Sequence, residues 1–429
     1  MFGSQRVNED GVLEIGGISI AQLKEKYGTP LYIMDKQYIV DQSKLIKNSF
    51  KSDFLNTEVA FASKSFLTVG MCKIVEELGL FLDVVSGGEI FTAVTAKFPM
   101  EKAHFHGNSK SIEELKMALK YGVGTIIVDN HLEFQTLEEL CLEANKEVDV
   151  ILRVNPGINA HTHKYIQTTL FDSKFGVSIY MPETKELIKK MNSSKVINFK
   201  GIHAHIGSQI FDSVSFLKEA EVMANYIKEL VEDNIPVDTL NLGGGFGIFY
   251  AEGDNPVDLK ECLSSMVNIV ENLNKDHNLG IKTLQIEPGR SLVANAGTTL
   301  YTVQGLKTTS TGKNYYFIDG GMTDNIRPAL YQAKYTGVIG NKMLEDKNNL
   351  VTVAGKCCES GDLIIKDDKI QDAQLGDLLC VFGTGAYNYS MSNNYNRIPK
   401  PAVVIVEDGK SNLMVKRETY EDLIRNDVY

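Results

Sequence analysis

Residues Glu58 to Phe66 read E-V-A-F-A-S-K-S-F, and the fold turns on how this stretch is read. Val59, Phe61 and Ser63 alternate with Ala60 and Ala62 in a short apolar run, which suits a strand buried on both faces, as in a parallel sheet covered by helices. Lys64 then stands at the strand's C-terminal end. An ammonium there either snorkels into water or serves as a Schiff-base nucleophile, and the rest of the chain has to decide which.

Similar strands recur at Leu80 to Val85, Ala103 to His106, Thr125 to Val128, Val148 to Val154, Phe199 to His205, Thr239 to Leu242 and Thr283 to Ile286. Between them lie amphipathic stretches such as Ser111 to Tyr121, Leu132 to Lys146, Glu183 to Met191, Ser213 to Asp233 and Val257 to Asp276, with apolar residues at three-to-four spacing. Eight strand–helix units over about 250 residues predict an α/β fold of the (β/α)8 TIM-barrel type rather than an open doubly wound sheet. Before the barrel, Ile18 to Tyr27 reads as a helix, Gly28-Thr29-Pro30 as a turn and Leu31 to Met34 as a short strand. After Arg290 the pattern changes to short strand-like runs at Leu300 to Leu306, Tyr315 to Asp319, Asn349 to Val353, Leu378 to Phe382 and Ala402 to Glu407, without long helices between them. The expected domains are therefore a barrel over 35–287 and a second, mostly β domain of sandwich or barrel type, built from 1–34 plus 288–429.

The totals agree with a soluble globular protein of roughly two or three domains. A chain of 429 residues exceeds one ordinary core, and 43% hydrophobic with 23% charged residues is a globular balance. A formal charge of -11 and a pI near 5.4 speak against nucleic acid or an anionic membrane as partner. No uncharged apolar run is long enough to span a bilayer, and Met1 to Gly11 has no basic-then-apolar leader pattern, so a cytoplasmic location is expected. Six cysteines without a CxxC pair predict free thiols rather than disulfides or structural zinc.

In a barrel of this type the chemistry gathers at the C-terminal ends of the strands. Those ends carry Lys64, Ser86-Gly87-Gly88-Glu89, His106-Gly107-Asn108, Asn155-Pro156-Gly157, His205-Ile206-Gly207-Ser208, Gly243-Gly244-Gly245-Phe246-Gly247 and Glu287-Pro288-Gly289-Arg290. The glycine run does not match the dinucleotide pattern GxGxxG and in isolation is simply a tight turn. After strands seven and eight, however, it occupies the usual phosphate cradle of these barrels, with backbone N–H groups facing the anion. Arg290 can add a charge-assisted contact and Ser208 a hydroxyl. The pairs His104 with His106, His161 with His163 and His203 with His205 each lie two apart, a spacing that suits metal ligands. The first strand ends in Lys64 and the last in Glu287-Pro288 rather than in a histidine pair and an aspartate, so most are expected to be ordinary half-buried histidines and no metal is expected. His205, beside a glycine–serine turn, is placed to lie flat against a planar ligand. A lysine nucleophile, a phosphate cradle, an arginine and a carboxylate around one barrel mouth together predict pyridoxal 5'-phosphate, with Glu287 facing the ring nitrogen.

Nine motifs in register then resemble one family: A-F-A-S-K-S, D-V-V-S-G-G-E, F-H-G-N-S-K-S, H-A-H-I-G-S-Q, N-L-G-G-G-F-G, E-P-G-R, G-G-M-T-D-N-I-R-P-A-L-Y, C-E-S-G-D and G-A-Y-N-Y-S-M-S-N-N-Y-N. From about Gly28 to Pro401 the chain is similar to the meso-diaminopimelate decarboxylases, a lysine-forming family among the barrel-type (fold-type III) pyridoxal-phosphate decarboxylases. The resemblance implies decarboxylation of meso-2,6-diaminopimelate to L-lysine, and a homodimer whose sites lie between the barrel of one subunit and the β domain of the other. By the matching motifs Lys64 holds the cofactor, His205 stacks on its ring, and Ser208, Gly243, Gly244, Gly245, Gly289 and Arg290 hold its phosphate. Arg290, Arg327, Tyr331, Glu359 and Tyr387 bind substrate, with Tyr387 also touching the cofactor. Cys358, from the partner subunit, donates the proton that replaces the lost carboxylate. Two departures stand out: the family usually has a glycine near Thr169, before Asp172-Ser173-Lys174-Phe175-Gly176, and Arg397-Ile398-Pro399-Lys400-Pro401 varies a more basic run. Two other readings stay open: a decarboxylase of another basic amino acid or a carboxylated polyamine, and a catalytically inactive regulatory paralogue. An inactive relative is expected to lose the lysine or the cysteine, and both are present.

Overall fold

The computed structural model describes residues 1–158 and 173–428. They divide into two compact units, one of Ser43–Gly247 with Asn255–Gly289, the other of Met1–Gln42, Ile248–Asp254 and Arg290–Tyr429. The first division falls inside the helix Lys36–Ser49, and the short return Ile248–Asp254 groups with the second unit although it lies between two barrel strands in sequence.

The first unit is a closed barrel of eight parallel strands: Asn56–Ala62, Phe81–Val84, Ala103–Phe105, Thr125–Val128, Val148–Asn155, Ile197–His203, Thr239–Asn241 and Thr283–Ile286. Closure is made by the last strand pairing with the first, Gln285 opposite Glu58 and Ile286 opposite Val59. A two-residue strand, Val177–Ser178, adds to the side of the fifth. Among the described residues seven helices alternate with the eight strands, and their starts explain themselves. Ser111 and Glu114 form a reciprocal capping box, Asn130 and Asp258 cap the helices that follow them, and Pro182 occupies the first turn of its helix. The helix Ser213–Glu232 buries Phe216, Ala220, Met223, Ala224, Ile227 and Leu230 on one face, each large side chain contributing about 1.5–3 kcal/mol. Because helices cover the sheet outside and side chains fill it inside, Val59 to Ser63 are all buried, as the opening stretch predicts.

The second unit is built on a nine-stranded mixed sheet. Its path runs Leu363–Ile370, Asn349–Ala354, Asn314–Ile318, Gly297–Thr308, Leu31–Asp35, Ala402–Glu407 and Lys410–Val415, with Leu378–Phe382 on Gly297–Thr308 and Gly337–Ile339 on Leu378–Phe382. Three of these strands, Gly337–Ile339, Leu363–Ile370 and Lys410–Val415, are absent from the sequence reading. The second carries Lys366-Asp367-Asp368-Lys369 across its middle and the third is a largely exposed edge, so neither shows the apolar run that marks a buried strand. The N-terminal strand lies inside this sheet: Leu31–Asp35 sits between Gly297–Thr308 and Ala402–Glu407, and Leu13, Ile15, Ile20, Leu23, Leu31 and Ile33 pack into this unit's core with Leu300, Val338, Leu378 and Val404.

Candidate active site

The first barrel strand stops at Ala62, and a single 3-10 turn, Ser63–Ser65, carries Lys64 out of it. Its side chain is exposed, so the strand end aims the amine without desolvating it. The ammonium nevertheless bears on a set of barrel groups, Asp83, Glu89, His203 and His205. Gly289 lies against this turn: a Cβ there would stand 2.9 Å from the Ala62 Cβ and 3.1 Å from the Ser65 hydroxyl.

Inside the barrel, Glu287 is almost wholly buried and three donors converge on it. His106 Nε2 lies 2.8 Å from Oε1, Asn241 Nδ2 donates to Oε1 at 2.7 Å, and His203 Nε2 lies 3.1 Å from Oε2. Burial alone would push this carboxyl up, yet His106 and His203, through charge and hydrogen bonds, hold it well below the usual carboxylate range. Glu287 is thus an anion kept inside a protein interior. His104, His106 and His203 are 2%, 4% and 1% exposed, which corrects the expectation of half-buried rings. Burial holds His203 below its ordinary range and His104 down to about 4. His106, His203 and Glu287 also bring their ligand-type atoms within 4.8 Å of one another, and the His–Glu separations are those of hydrogen bonds. Beside them, burial, countered in part by His106 and Lys64 and reinforced by Glu287 and Glu89, pushes Asp83 up to about 6.

The sixth strand ends at His203, two residues earlier than the sequence suggests, and His205 belongs to the loop beyond it. Its Nδ1 accepts the Gly244 N–H at 3.1 Å, while burial, then the charges of Lys64 and Arg153, depress its protonation strongly. The ring is therefore neutral with its hydrogen on Nε2. Ile210 N–H donates to Gly245 O and Gly247 N–H to Ile210 O, both at 3.0 Å, lacing the loops after strands six and seven together. A Cβ on Gly244 or Gly245 would come within 2.3 Å of the carbonyl of Glu287 or Gly207, so only glycine lets the backbone pack this closely. Ser208 lies in that laced loop.

The second unit holds the other predicted residues. Arg290, at the start of the short helix Arg290–Val293, donates from Nη1 to the Tyr250 hydroxyl at 2.7 Å, and its guanidinium lies 4.8 Å from the Tyr387 ring centre. Arg327 donates from Nε to the Tyr335 hydroxyl at 2.9 Å and stands 5.2 and 5.3 Å from the rings of Tyr331 and Tyr387. Burial works against its charge, but Tyr335, Tyr250 and Tyr387 more than offset that. Tyr387 takes a left-handed backbone, φ 66°. Cys358 and Glu359 are exposed on a loop that Asp362 anchors by accepting the N–H groups of Met322 and Cys357.

The pyridoxal-binding domain of the pyridoxal-dependent decarboxylases matches residues 37–294. The chain is 50% identical to the diaminopimelate decarboxylase of Bacillus subtilis (strain 168), over 100% of this chain and 98% of that relative, and 42% identical to that of Staphylococcus aureus (strain COL), over 98% and 99%. A crystal structure of diaminopimelate decarboxylase from M. jannaschii, in co-complex with L-lysine, superposes with a TM-score of 0.93 at 33% identity, covering 100% of this chain and 99% of that one. The chain belongs to the diaminopimelate decarboxylase family. Its cofactor is therefore pyridoxal 5'-phosphate, and the residues fit it: a buried anionic carboxylate for a ring cation, a glycine loop that admits no side chain, and an amine carried out of a strand end.

The sequence reading assigns no role to Asp83 or Asn241 and takes His106 and His203 for ordinary half-buried rings, whereas the structure places all four around the barrel's inner end. Each sits at or beside a strand end on an inward-facing position, and that periodicity is the signal that marks them. Lys110, in the motif F-H-G-N-S-K-S, proves structural: its ammonium is paired with Glu133 at 2.6 Å and donates to the carbonyls of Gly107 and Ile127. His161, His163, Thr169 and Asp172 lie outside the described residues. All six cysteines are free, five of them buried and Cys358 exposed.

Proposed function

We propose that this protein is a homodimeric, cytoplasmic decarboxylase that converts meso-2,6-diaminopimelate to L-lysine and CO2. The observation that carries the substrate is Arg327: buried, charged, ringed by tyrosines, and without a carboxylate partner among the described residues. Such a guanidinium waits for an external carboxylate. Diaminopimelate has two amino-acid ends, and an enzyme that removes CO2 from one must hold the other intact.

When bound, pyridoxal 5'-phosphate supplies the electron sink for the carbanion left as CO2 departs. Lys64 Nζ would hold its aldehyde, His205 would face its ring, and Ser208, Gly243 to Gly245, Gly289 and Arg290 would hold its phosphate. Glu287, anionic and immobilised by three donors, would keep a proton on the ring nitrogen. Arg290 and Arg327 take the far carboxylate with Tyr331 and Tyr387 beside it, Glu359 takes the far ammonium, and Cys358 Sγ delivers the proton to Cα. The barrel over 35–287 would thus carry most of the cofactor's contacts, and the remainder would add Gly289 and Arg290 at its phosphate together with the substrate contacts.

The exposure of Cys358 and Glu359 supports their serving a partner subunit's site. Mixing inactive Lys64→Ala and Cys358→Ala proteins should then restore some activity, because one site of a mixed dimer has both wild-type residues. Failure despite demonstrated subunit exchange places both residues in one subunit. Among the described residues no helix is long and apolar enough to cross a membrane. The substrate is tested by assaying purified holoenzyme with diaminopimelate, lysine and ornithine, measuring lysine and CO2 released. Each desolvated contact to the far end discriminates by about 1.5–3 kcal/mol, roughly ten- to a hundredfold. Equal turnover of lysine or ornithine overturns the substrate assignment.

A further inference from the structure

Asn241 ends the seventh barrel strand and is fully buried, and each polar atom of its side chain is committed. Its Nδ2 donates to Glu287 Oε1 at 2.7 Å and to Gln285 Oε1 at 3.1 Å, while its Oδ1 accepts the Gly243 N–H at 2.9 Å. The amide orientation is determined twice over. Gly243 can only donate, and Gln285 spends its own Nε2 on Glu58 Oε2 at 2.6 Å, leaving its oxygen for Asn241. Of the three donors on Glu287, Asn241 is the one that stays neutral at every pH and the one that also grips the glycine loop. The main chain repeats the link, since Glu287 N–H donates to Gly243 O at 2.6 Å.

We propose that Asn241 is a positioning residue that ties the glycine loop to the Glu287 carboxylate, so that the phosphate end and the ring-nitrogen end of the cofactor are held in register. This rests on the reading that pyridoxal 5'-phosphate lies between those two features. A carboxamide suits the task because one flat group offers a donor to the anion and an acceptor to the loop. Aspartate keeps the acceptor and loses the donor, and alanine loses both. An aspartate would also face Glu287 with a second carboxyl oxygen, and two carboxylates at that distance share a proton. The ring nitrogen would then meet less than a full negative charge.

The test compares Asn241→Asp and Asn241→Ala holoenzymes, each in the wild-type and the Glu287→Gln background. The measurements are cofactor dissociation, the pH titration of the bound cofactor's absorbance, kcat and KM per folded site, and the thermal midpoint. Asn241→Asp should keep cofactor affinity and KM close to wild type, shift the absorbance titration, and lower kcat by about ten- to a hundredfold, the scale of one charge-assisted hydrogen bond. Asn241→Ala should show the rate loss and also bind pyridoxal 5'-phosphate more weakly, with a smaller effect on unphosphorylated pyridoxal. In the Glu287→Gln background Asn241→Asp should shift the titration no further, because its effect runs through the carboxylate. The inference is overturned if Asn241→Asp titrates and turns over like wild type, if its loss is equally large without Glu287, or if only the thermal midpoint moves. A wild-type protein that binds no pyridoxal 5'-phosphate overturns the cofactor reading itself, and the two failures are told apart by that first measurement.

Discussion

In the barrel unit the buried carboxylate of Glu287 meets three donors within 3.1 Å, whereas in the β unit the buried guanidinium of Arg327 has one phenol at 2.9 Å, aromatic faces, and no carboxylate among the described residues. Both are charges removed from water, which costs several kcal/mol unless partners compensate. In the barrel the compensation is built in, from three side chains at the ends of three other strands, so the anion survives. In the β unit the compensation is partial: one phenol and two ring faces hold the charge, and no carboxylate among the described residues pairs with the guanidinium. The difference separates a buried charge whose partners are all supplied by the barrel from one whose partners among the described residues are phenols and ring faces.

Four experiments press on that comparison. The largest effect is expected at Lys64, which belongs to neither buried cluster. Lys64→Ala should lose the absorbance band of the covalently held cofactor and several orders of magnitude of turnover; an unchanged spectrum would remove it from the barrel half. Next, Glu287→Gln should keep the cofactor and lose roughly a hundred- to ten-thousandfold in kcat, since an amide cannot hold the ring proton. Near-normal turnover would show that the preorganised anion is not the electron-sink partner. Arg327→Met should lower kcat/KM for diaminopimelate by about ten- to a hundredfold with the cofactor spectrum intact; a changed spectrum would show that the two halves are not separable.

The smallest effect concerns stability. His104 is buried neutral with its folded-state value down to about 4, against 6.5 unfolded. Between those two pH values the unfolded chain binds the extra proton, so stability is lost as pH falls through that window and recovered above it. The slope is at most about 1.4 kcal/mol per pH unit. His104→Gln should flatten that limb in urea titrations run from pH 4 to 7. An unaltered slope would mean that the ring takes up its proton in the folded state.

The barrel was readable because its strands are covered on both faces, which forces apolar runs such as Val59 to Ala62 and Thr125 to Val128, with helices that announce themselves by Ser111, Asn130 and Asp258 caps. Legibility fell in the β unit. Leu363–Ile370 and Lys410–Val415 face water for much of their length, and a half-exposed strand tolerates Lys366 to Lys369 without penalty. Leu31–Asp35 was visible as a strand but not as the centre of a sheet, because its partners Gly297–Thr308 and Ala402–Glu407 lie hundreds of residues away and pairing leaves no local mark.

Of the site, the sequence alone determined the chemical kinds and their order along the chain: an amine after the first strand, glycines after the seventh, a carboxylate and an arginine after the eighth. Those follow from periodicity and loop position, which are local properties. Only the tertiary structure decided which groups meet. His106, Asn241 and His203 come from three different strands to one carboxylate, and Asn241 reaches the glycine loop as well, because barrel closure brings inward-facing positions of distant strands to the same level. The state of Glu287 is decided there too, since burial would neutralise a carboxyl with that sequence context and only the convergent donors keep it charged.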